Sequence, residues 1–255
     1  MGVSSPAGGN PLVAYALRHP LQAYRYLRAP ASFSALLPRR CSPRQFRAWL
    51  REAAGITQEI QARLESESWT SGGRGGPASA ADRGPVLYAA VRALRPEVVV
   101  ETGVASGSSS YYFLSALEAN GRGTLYSIEL PPPLLARADP VYARRDKVSL
   151  PAGRESGWLV PDRLRSRWEL LLGDARDLLP QLVARVPALN FFFHDSEHSY
   201  EVMRFEYDVA WKKLAPGGVL GSDDVSWNTA FRDFVRERGT RSLYVGGYGF
   251  TASPS

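Results

Sequence analysis

The sequence is short of cysteine and of long apolar runs, and each shortage excludes a class of protein. Cys41 is the only cysteine among 255 residues, so an internal disulfide and a cysteine-based zinc site are both excluded. No apolar run approaches the roughly 20 residues that a membrane-spanning helix needs. The N-terminal stretch has no basic region ahead of its apolar residues, which predicts that no signal peptide is present. We therefore expect a cytoplasmic protein without a membrane span.

Lysine and acidic residues are scarce in the first third of the chain. Residues 1–80 hold ten arginines, four glutamates and neither lysine nor aspartate, which accounts for the whole net charge of +6. A basic segment of this kind can contact an acidic partner, a membrane surface or nucleic acid. A solvated helical face explains the same charge more simply, so we do not expect nucleic acid as a partner.

The pattern of residues 1–84 predicts a basic helical extension that ends in a glycine-rich loop. Pro20 is predicted to interrupt one helix, and Ser42 is typical of the N-cap of another. Gly55 is predicted to end that second helix. The loop-like segment 71–85 is predicted to be a linker or a flap over an active site. The apolar faces of these helices predict a homo-oligomer contact.

From residue 85 onward, short β-branched or aromatic runs alternate with helical patterns. The predicted strands are 97–101, 124–130, 168–174, 189–195, 219–225 and a terminal hairpin in 243–252. This alternation predicts an α/β fold over residues 85–255, a Rossmann-like, mostly parallel sheet of about seven strands with helices on both faces. Ligands of such sheets bind outside the carboxyl ends of the strands, so the residues that follow each strand are the informative ones.

A glycine-containing turn, residues 103–107 (called the glycine turn below), follows the first predicted strand. Gly103 allows a tight turn, and Gly107 would let a ligand approach the backbone closely. Ser108 opens the next helix, whose free N–H groups favour an anionic group. Ala105 stands where the dinucleotide motif GxGxxG has its second glycine, so the spacing is ExGxxxG, starting at Glu101.

Two acidic residues follow the next strands. Glu129 lies a little over 20 residues past the glycine turn, where a carboxylate can accept hydrogen bonds from both hydroxyls of a ribose. This position indicates a nucleoside cofactor without choosing between S-adenosylmethionine and NAD, and an exposed strand-end carboxylate is the simpler alternative. Asp174 follows the third strand and is also typical of a helix N-cap.

Three aspartates follow strands four and five and are called the acidic edge below: Asp195, Asp223 and Asp224. Neighbouring strands lie about 4.8 Å apart, so the three side chains are expected to converge. Three carboxylates need a cation or protons to share a site, and Mg²⁺ prefers such oxygen ligands. The alternative is that Asp223 or Asp224 caps a helix. His198 is the preferred general base, with Asp195 beside it.

The ordered motifs ETGVASG, SIE, GDA, HDSEHSYE and PGGVLGSDD resemble the class I S-adenosylmethionine-dependent methyltransferases over about residues 85–252. More narrowly, they resemble the branch related to macrocin O-methyltransferases and to proteins named cephalosporin hydroxylases. The resemblance implies that the cofactor positions are Glu101, Gly103, Gly107, Glu129 and Asp174. It also implies that the acidic edge holds the metal, with Asp195, Asp223 and Asp224 as ligands.

These observations predict an S-adenosylmethionine-dependent methyltransferase that methylates a hydroxyl of a small molecule with the help of Mg²⁺. Residues 153–168 are predicted to line or cover the site, with Trp158 as a candidate contact. Two alternatives stay open at this point. One is an NAD(P)-dependent oxidoreductase, and the other is a non-catalytic protein that binds a cofactor, or nucleic acid through its basic N-terminal segment.

Overall fold

A seven-stranded sheet forms the centre of the structure, a computed structural model that describes residues 20–37, 41–67, 83–131 and 150–255. The strands are β1 Val98–Thr102, β2 Thr124–Glu129, β3 Trp168–Leu172, β4 Leu189–His194, β5 Leu214–Ser222, β6 Ser242–Val245 and β7 Tyr248–Ala252. Their order across the sheet is β3-β2-β1-β4-β5-β7-β6. Six strands run in the same direction, and β7 runs antiparallel to them. The predicted Rossmann-like fold is confirmed.

Helices cover both faces of this sheet. They are α1 Pro20–Leu36, α2 Pro43–Glu52, α3 Ala54–Ser66, α4 Pro85–Leu94, α5 Ser108–Asn120, α6 Ala175–Arg185, α7 Tyr200–Lys213 and α8 Ala230–Arg238, with a 3₁₀ turn at Asp162–Arg167. The buried side chains of α1–α5 form one apolar cluster with the sheet, and those of α6–α8 form another on the opposite face. Parallel strands need crossover connections, and helices within these connections cover the faces of the sheet.

Strand β4 shows why the sequence encodes a sheet that is buried on both faces. Side chains alternate between the faces of a strand. Phe191 and Phe193 accordingly pack in the cluster with α5, where both contact Phe113 edge-on at ring distances of 5.6 and 5.5 Å. Phe192 points to the other face and packs in the cluster with Tyr207 of α7. A run of three apolar residues is therefore required here, because neither face meets solvent.

The start of α2 is the one predicted from the sequence, whereas the predicted helix end at Gly55 is wrong. Ser42 forms a reciprocal capping box, in which its hydroxyl accepts from the N–H of Gln45 at 3.3 Å and its own N–H donates to Gln45 Oε1 at 3.0 Å. Pro20 is the first described residue of α1, and the helical pattern that it was predicted to interrupt lies outside the described residues. Gly55 lies in the first turn of α3, and the break falls at Ala53.

The N-terminal helices share the hydrophobic core of the sheet domain. Phe33 of α1 stacks on Phe46 of α2 at 4.7 Å and contacts Phe250 of β7 at 4.9 Å, and all three rings are fully buried. These are the apolar faces that predicted a homo-oligomer contact, and here they pack against the sheet instead. The packing of these helices within one chain tests neither the predicted homo-oligomer nor the predicted domain boundary at residue 84, and both stay predictions.

Much of the predicted linker or flap, residues 71–82, lies outside the described residues, as do the first helical pattern before Pro20 and the stretch 132–149. Residues 83–85 of that loop are described and lie against the carboxyl edge of the sheet, through Arg83. In the described part of the chain, no helix is long and apolar enough to cross a membrane.

Candidate active site

The glycine turn joins the carboxyl end of β1 to α5, and its backbone departs repeatedly from ordinary conformations. Gly103, Ala105 and Gly107 all have positive φ, at 82°, 49° and 90°. Ala105 therefore keeps the left-handed backbone that the missing glycine of the dinucleotide motif would adopt, at a steric cost that glycine avoids. At Gly103 a Cβ atom would lie 2.0 Å from the carbonyl oxygen of Asp195. The turn consequently packs directly on the loop after β4.

The space beside Gly107 is occupied by protein. A Cβ atom there would lie 2.8 Å from the Cα of Gly157. Gly157 donates its N–H to the carbonyl of Ala105 at 2.8 Å, and Leu159 donates to Ser106 at 3.0 Å. The segment 153–168 therefore covers this side of the glycine turn, as predicted. Gly107 serves the close approach of that segment, which differs from the close ligand approach inferred from the sequence.

Ser108 lies at the first position of α5 and is buried. Its hydroxyl has no hydrogen-bond partner among the described residues. Buried polar groups are nearly always paired, so a lone hydroxyl at the positive end of a helix marks a place where a ligand or water would bind. The predicted role of Ser108 in cofactor binding fits this geometry.

Glu101, near the carboxyl end of β1, links the start of α5 to the sheet through hydrogen bonds. Its fully buried carboxylate accepts hydrogen bonds from Ser109 at 2.5 Å, Ser110 at 2.6 Å and Ser127 at 2.8 Å. Burial raises the pKa of Glu101 to about 7, although the three hydroxyl donors favour the charged form. This carboxylate therefore fixes the first turn of α5 against β1 and β2.

Replacing Glu101 with glutamine should change how the stability of the protein depends on pH. A carboxyl whose pKa is raised in the folded state binds more protons there than in the unfolded chain, so its contribution falls as pH rises through 7. The wild type should therefore lose up to roughly 3 kcal/mol of unfolding free energy relative to Glu101→Gln between pH 5 and pH 8. Urea unfolding at both pH values measures this. Parallel pH profiles for the two proteins would contradict the assignment.

Glu129 and Asp174 follow β2 and β3 on the same edge of the sheet. Glu129 Oε2 accepts the N–H groups of Val104 at 2.6 Å and Ala105 at 3.2 Å, and burial raises the pKa of this carboxyl. Asp174 caps α6 by accepting from the N–H of Arg176 at 2.8 Å and also pairs with its guanidinium at 2.7 Å. The hydrogen bond from that guanidinium lowers the pKa of Asp174. The helix-capping alternative for Asp174 is thus present in the structure.

The guanidinium of Arg83, which was not predicted from the sequence, neutralises part of the acidic edge. The guanidinium of Arg83 binds both oxygens of Asp223, at 2.6 and 2.9 Å, and both side chains are nearly buried. Asp223 consequently does not present a free carboxylate. Among the described residues, no group of three or more His, Cys, Asp or Glu side chains is arranged to hold a metal ion. The donors therefore do not fit the Mg²⁺ ion expected at Asp195, Asp223 and Asp224.

The other two aspartates of the acidic edge lie on either side of this pair. Burial, followed by the negative charge of Asp223, raises the pKa of Asp195 well above its usual range. Asp224 adopts a left-handed backbone at φ 46° and donates its N–H to Asp223 Oδ1 at 2.7 Å. Its carbonyl accepts from the N–H of Trp227 at 2.9 Å. Asp224 therefore shapes the turn after β5 and lies well before the start of α8, which excludes it as that helix's N-cap.

His198 and Asp195, the predicted general base and its neighbour, are brought together. His198 Nε2 lies 3.8 Å from Asp195 Oδ1, and the His198 ring lies 5.0 Å from the ring of Trp227. Trp227 is half exposed, which is unusual for so large an apolar side chain. The predicted base thus lies between a carboxylate and a half-exposed indole, and both of its own ring nitrogens are buried.

A second buried cluster joins the ends of β1 and β4 and was not predicted. Glu206 of α7 accepts from Thr102 at 2.5 Å and Ser196 at 2.6 Å, and pairs with His194 Nδ1 at 2.6 Å. Burial lowers the pKa of His194, so the neutral ring donates from Nδ1. A signal existed in the sequence, because Glu206 lies on the same helical face as Met203, Tyr207 and Ala210, all buried. This cluster fixes the loop that carries Asp195 and His198.

The part of the chain that builds this site matches a known domain family. A family model described as a methyltransferase domain matches residues 100–225, from β1 to just past β5. That range contains the glycine turn, Glu129, Asp174, His198 and the acidic edge. No curated protein matches the chain significantly.

Solved structures are similar to this chain at low sequence identity. A proposed O-methyltransferase from Klebsiella pneumoniae aligns with 78% of this chain and 90% of its own, at 15% identity and a TM-score of 0.51. An O-methyltransferase from Bacillus cereus in complex with S-adenosylhomocysteine aligns with 90% and 97% of the two chains, at 16% identity and a TM-score of 0.47. The O-methyltransferase of tomaymycin synthesis from Streptomyces achromogenes, in complex with S-adenosylmethionine, aligns with 91% of this chain and 98% of its own. The sequence identity is 17% and the TM-score is 0.49.

The strand order, the position of the glycine turn and the family match lead to one assignment. The sheet order with its single antiparallel strand agrees with the fold shared with the Klebsiella protein. The family match argues against the NAD(P)-dependent oxidoreductase that the sequence left open. The chain therefore carries a methyltransferase domain over residues 100–225, on a Rossmann-like fold.

Proposed function

We propose that the protein transfers the methyl group of S-adenosylmethionine to a hydroxyl of a small molecule, with His198 as the general base. One observation carries the proposal. The loop that holds His198 and Asp195 packs on Gly103, whose missing side chain lets the carbonyl of Asp195 approach the glycine turn. The predicted base and the predicted cofactor turn therefore belong to one rigid edge of the sheet.

The residues of the glycine turn suit the cofactor. Ser108 offers a buried hydroxyl and lies among the free N–H groups at the start of α5, which favour the carboxylate of the methionine part. Glu129 accepts from the N–H groups of Val104 and Ala105 and from the side chain of Ser156, and its remaining lone pair can accept from a ribose hydroxyl. Asp174, one strand further along, is proposed to lie near the adenine. Glu101 and Gly107 position this turn from behind.

When bound, S-adenosylmethionine supplies a methyl group on a positively charged sulfur and leaves as the neutral thioether. The chain contributes orientation and proton transfer. His198 Nε2, which lies 3.8 Å from Asp195 Oδ1, takes the proton of the acceptor hydroxyl while the new oxygen–carbon bond forms. Trp227 offers a half-exposed aromatic surface beside His198 for an apolar face of the acceptor.

This mechanism runs without a metal ion, because Asp223 is bound on both oxygens by Arg83. The Klebsiella protein with the same fold is a proposed O-methyltransferase, which agrees with a hydroxyl acceptor. The basic N-terminal segment packs through its apolar face on the sheet, and nucleic acid is still not expected as a partner. A cytoplasmic location stays a prediction.

Calorimetric titration with S-adenosylhomocysteine, in Mg²⁺ and in chelator, tests the cofactor. We expect micromolar binding of similar strength in both conditions. A panel of hydroxylated acceptors, followed by release of S-adenosylhomocysteine, then tests the reaction. His198→Gln should lower kcat by about 10²- to 10⁴-fold and leave the affinity for S-adenosylhomocysteine unchanged.

The matched control for this experiment is Glu201→Gln, which changes an exposed side chain three residues from His198. Its turnover should stay within about twofold of the wild type. Absence of cofactor binding in both conditions would overturn the proposed activity. Full turnover by His198→Gln would remove only the role of the base.

A further inference from the structure

The guanidinium of Arg83 lies inside the acidic edge and not on its surface. Its two terminal nitrogens bind the two oxygens of Asp223 at 2.6 and 2.9 Å, and its side chain is 12% exposed. The residues are 140 positions apart in the chain, so the contact ties the segment before α4 to the end of β5. The planar guanidinium group of arginine can bind one carboxylate in this bidentate geometry, whereas the ammonium group of lysine cannot.

Several further contacts fix Arg83 in this place. Its Nη1 also donates to the carbonyl of Gly246 at 3.1 Å, and its guanidinium carbon lies 4.7 Å from the centre of the Tyr248 ring. The β6–β7 turn closes over it, because a Cβ atom at Gly247 would lie 2.7 Å from Nη1. On the other side, a Cβ atom at Gly84 would lie 1.9 Å from the ring of Tyr112. The arginine is therefore held by backbone packing as well as by charge.

This arrangement competes with a divalent ion for the same carboxylate. An ion bound by Asp223 needs a free oxygen lone pair, and three of the roughly four lone pairs of this carboxylate accept from Arg83 and from the N–H of Asp224. A divalent ion would also meet the fixed positive charge of the guanidinium within a few ångströms, in surroundings that screen charge weakly. Asp195 and Asp224 alone would leave it with too few protein ligands.

We propose that Arg83 is the resident cation of the acidic edge and takes the place of a divalent metal ion there. The arginine keeps Asp223 in one orientation, and Asp223 in turn fixes the left-handed turn at Asp224 through the 2.7 Å hydrogen bond. Arg83 is thus a positioning residue for the loop after β5. The proposal concerns the site of the proposed function, but its test does not use methyl transfer, so either can fail alone.

Binding of Mn²⁺ to the full chain, followed by electron paramagnetic resonance, tests this directly. The wild type should show no stoichiometric ion that depends on Asp223. Arg83→Met, which keeps the length and removes the charge, should gain a site that binds Mn²⁺ at least about 10-fold more tightly than the wild type does. The double variant Arg83→Met/Asp223→Asn should lose that site again, because Asp195 and Asp224 alone leave the ion with too few protein ligands.

Arg83→Met leaves the carboxylate of Asp223 buried without its partner, which could prevent folding. The wild-type protein alone then tests the proposal. A wild-type Mn²⁺ site of micromolar affinity that Asp223→Asn abolishes would overturn the proposal. If the wild type has no such Mn²⁺ site, and its melting temperature is the same in Mg²⁺ and in chelator, the proposal is supported. A protein that binds Mn²⁺ through Asp223 and also binds S-adenosylhomocysteine would refute the role of Arg83 and leave the methyltransferase intact.

Discussion

Glu129→Gln should bind S-adenosylhomocysteine about 10- to 100-fold more weakly than the wild type. The variant keeps the size of the side chain and loses its charge. Hydrogen bonds to a charged group contribute about 1.5–3 kcal/mol, and each 1.4 kcal/mol is tenfold in affinity. In the present structure one oxygen of Glu129 accepts from Val104 and Ala105, so the same carboxylate holds the glycine turn and faces the proposed ribose position. Calorimetric titration of both proteins measures the difference.

A neighbouring glutamate provides the control for this experiment. Glu169 lies on β3, directly beside β2, and its side chain is 41% exposed and paired with Arg185. Glu169→Gln removes the same charge from the same sheet and should leave the affinity unchanged, because surface ion pairs contribute little. Equal binding by the wild type and Glu129→Gln would show that the nucleoside does not reach this carboxylate.

Most of the strands could be predicted from the sequence, because short runs of β-branched or aromatic residues mark them. The runs at 124–130 and 189–195 correspond to β2 and β4 within one residue. Strand β5 begins at Leu214, five residues before the predicted 219, because the PGG turn signal lies inside the strand as a bulge against β4. Glycine and proline mark irregular backbone, but they do not say whether pairing continues through it.

The parts of the site that the sequence did not predict depend on contacts between distant residues. Arg83 lies in a stretch rich in glycine and alanine that resembles a loop, and only the folded sheet brings it to Asp223. Glu206 was missed for another reason, because a glutamate within a helix usually faces solvent. Ala105 shows the opposite case. Alanine at this position, in place of the second glycine of GxGxxG, indicated a departure from the dinucleotide motif. Its backbone nevertheless has the left-handed conformation, at φ 49°.

The largest loss of stability is expected from Gly103→Ala. The new Cβ atom would lie 2.0 Å from the carbonyl oxygen of Asp195 and 2.8 Å from the N–H nitrogen of Ser196. Both are backbone atoms of the loop after β4, so neither can rotate away as a side chain would. The positive φ of 82° adds strain of about 1–2 kcal/mol for any residue with a Cβ. Together with overpacking, the cost should reach about 3–5 kcal/mol, a fall of roughly 10 °C in Tm.

Gly121→Ala separates the two causes of this loss. Gly121 also has a positive φ, 67°, and ends α5, but a Cβ atom there meets nothing within 4 Å. Its replacement should cost only the backbone strain, about 1 kcal/mol, and leave binding of S-adenosylhomocysteine unchanged. Gly103→Ala should weaken that binding as well, because the glycine turn can relieve the overlap only by moving away from the loop that carries Asp195 and His198. If both variants lost the same stability and bound the ligand equally, the close approach of these two segments would contribute nothing, and the proposal that they form one rigid site would lose its main support.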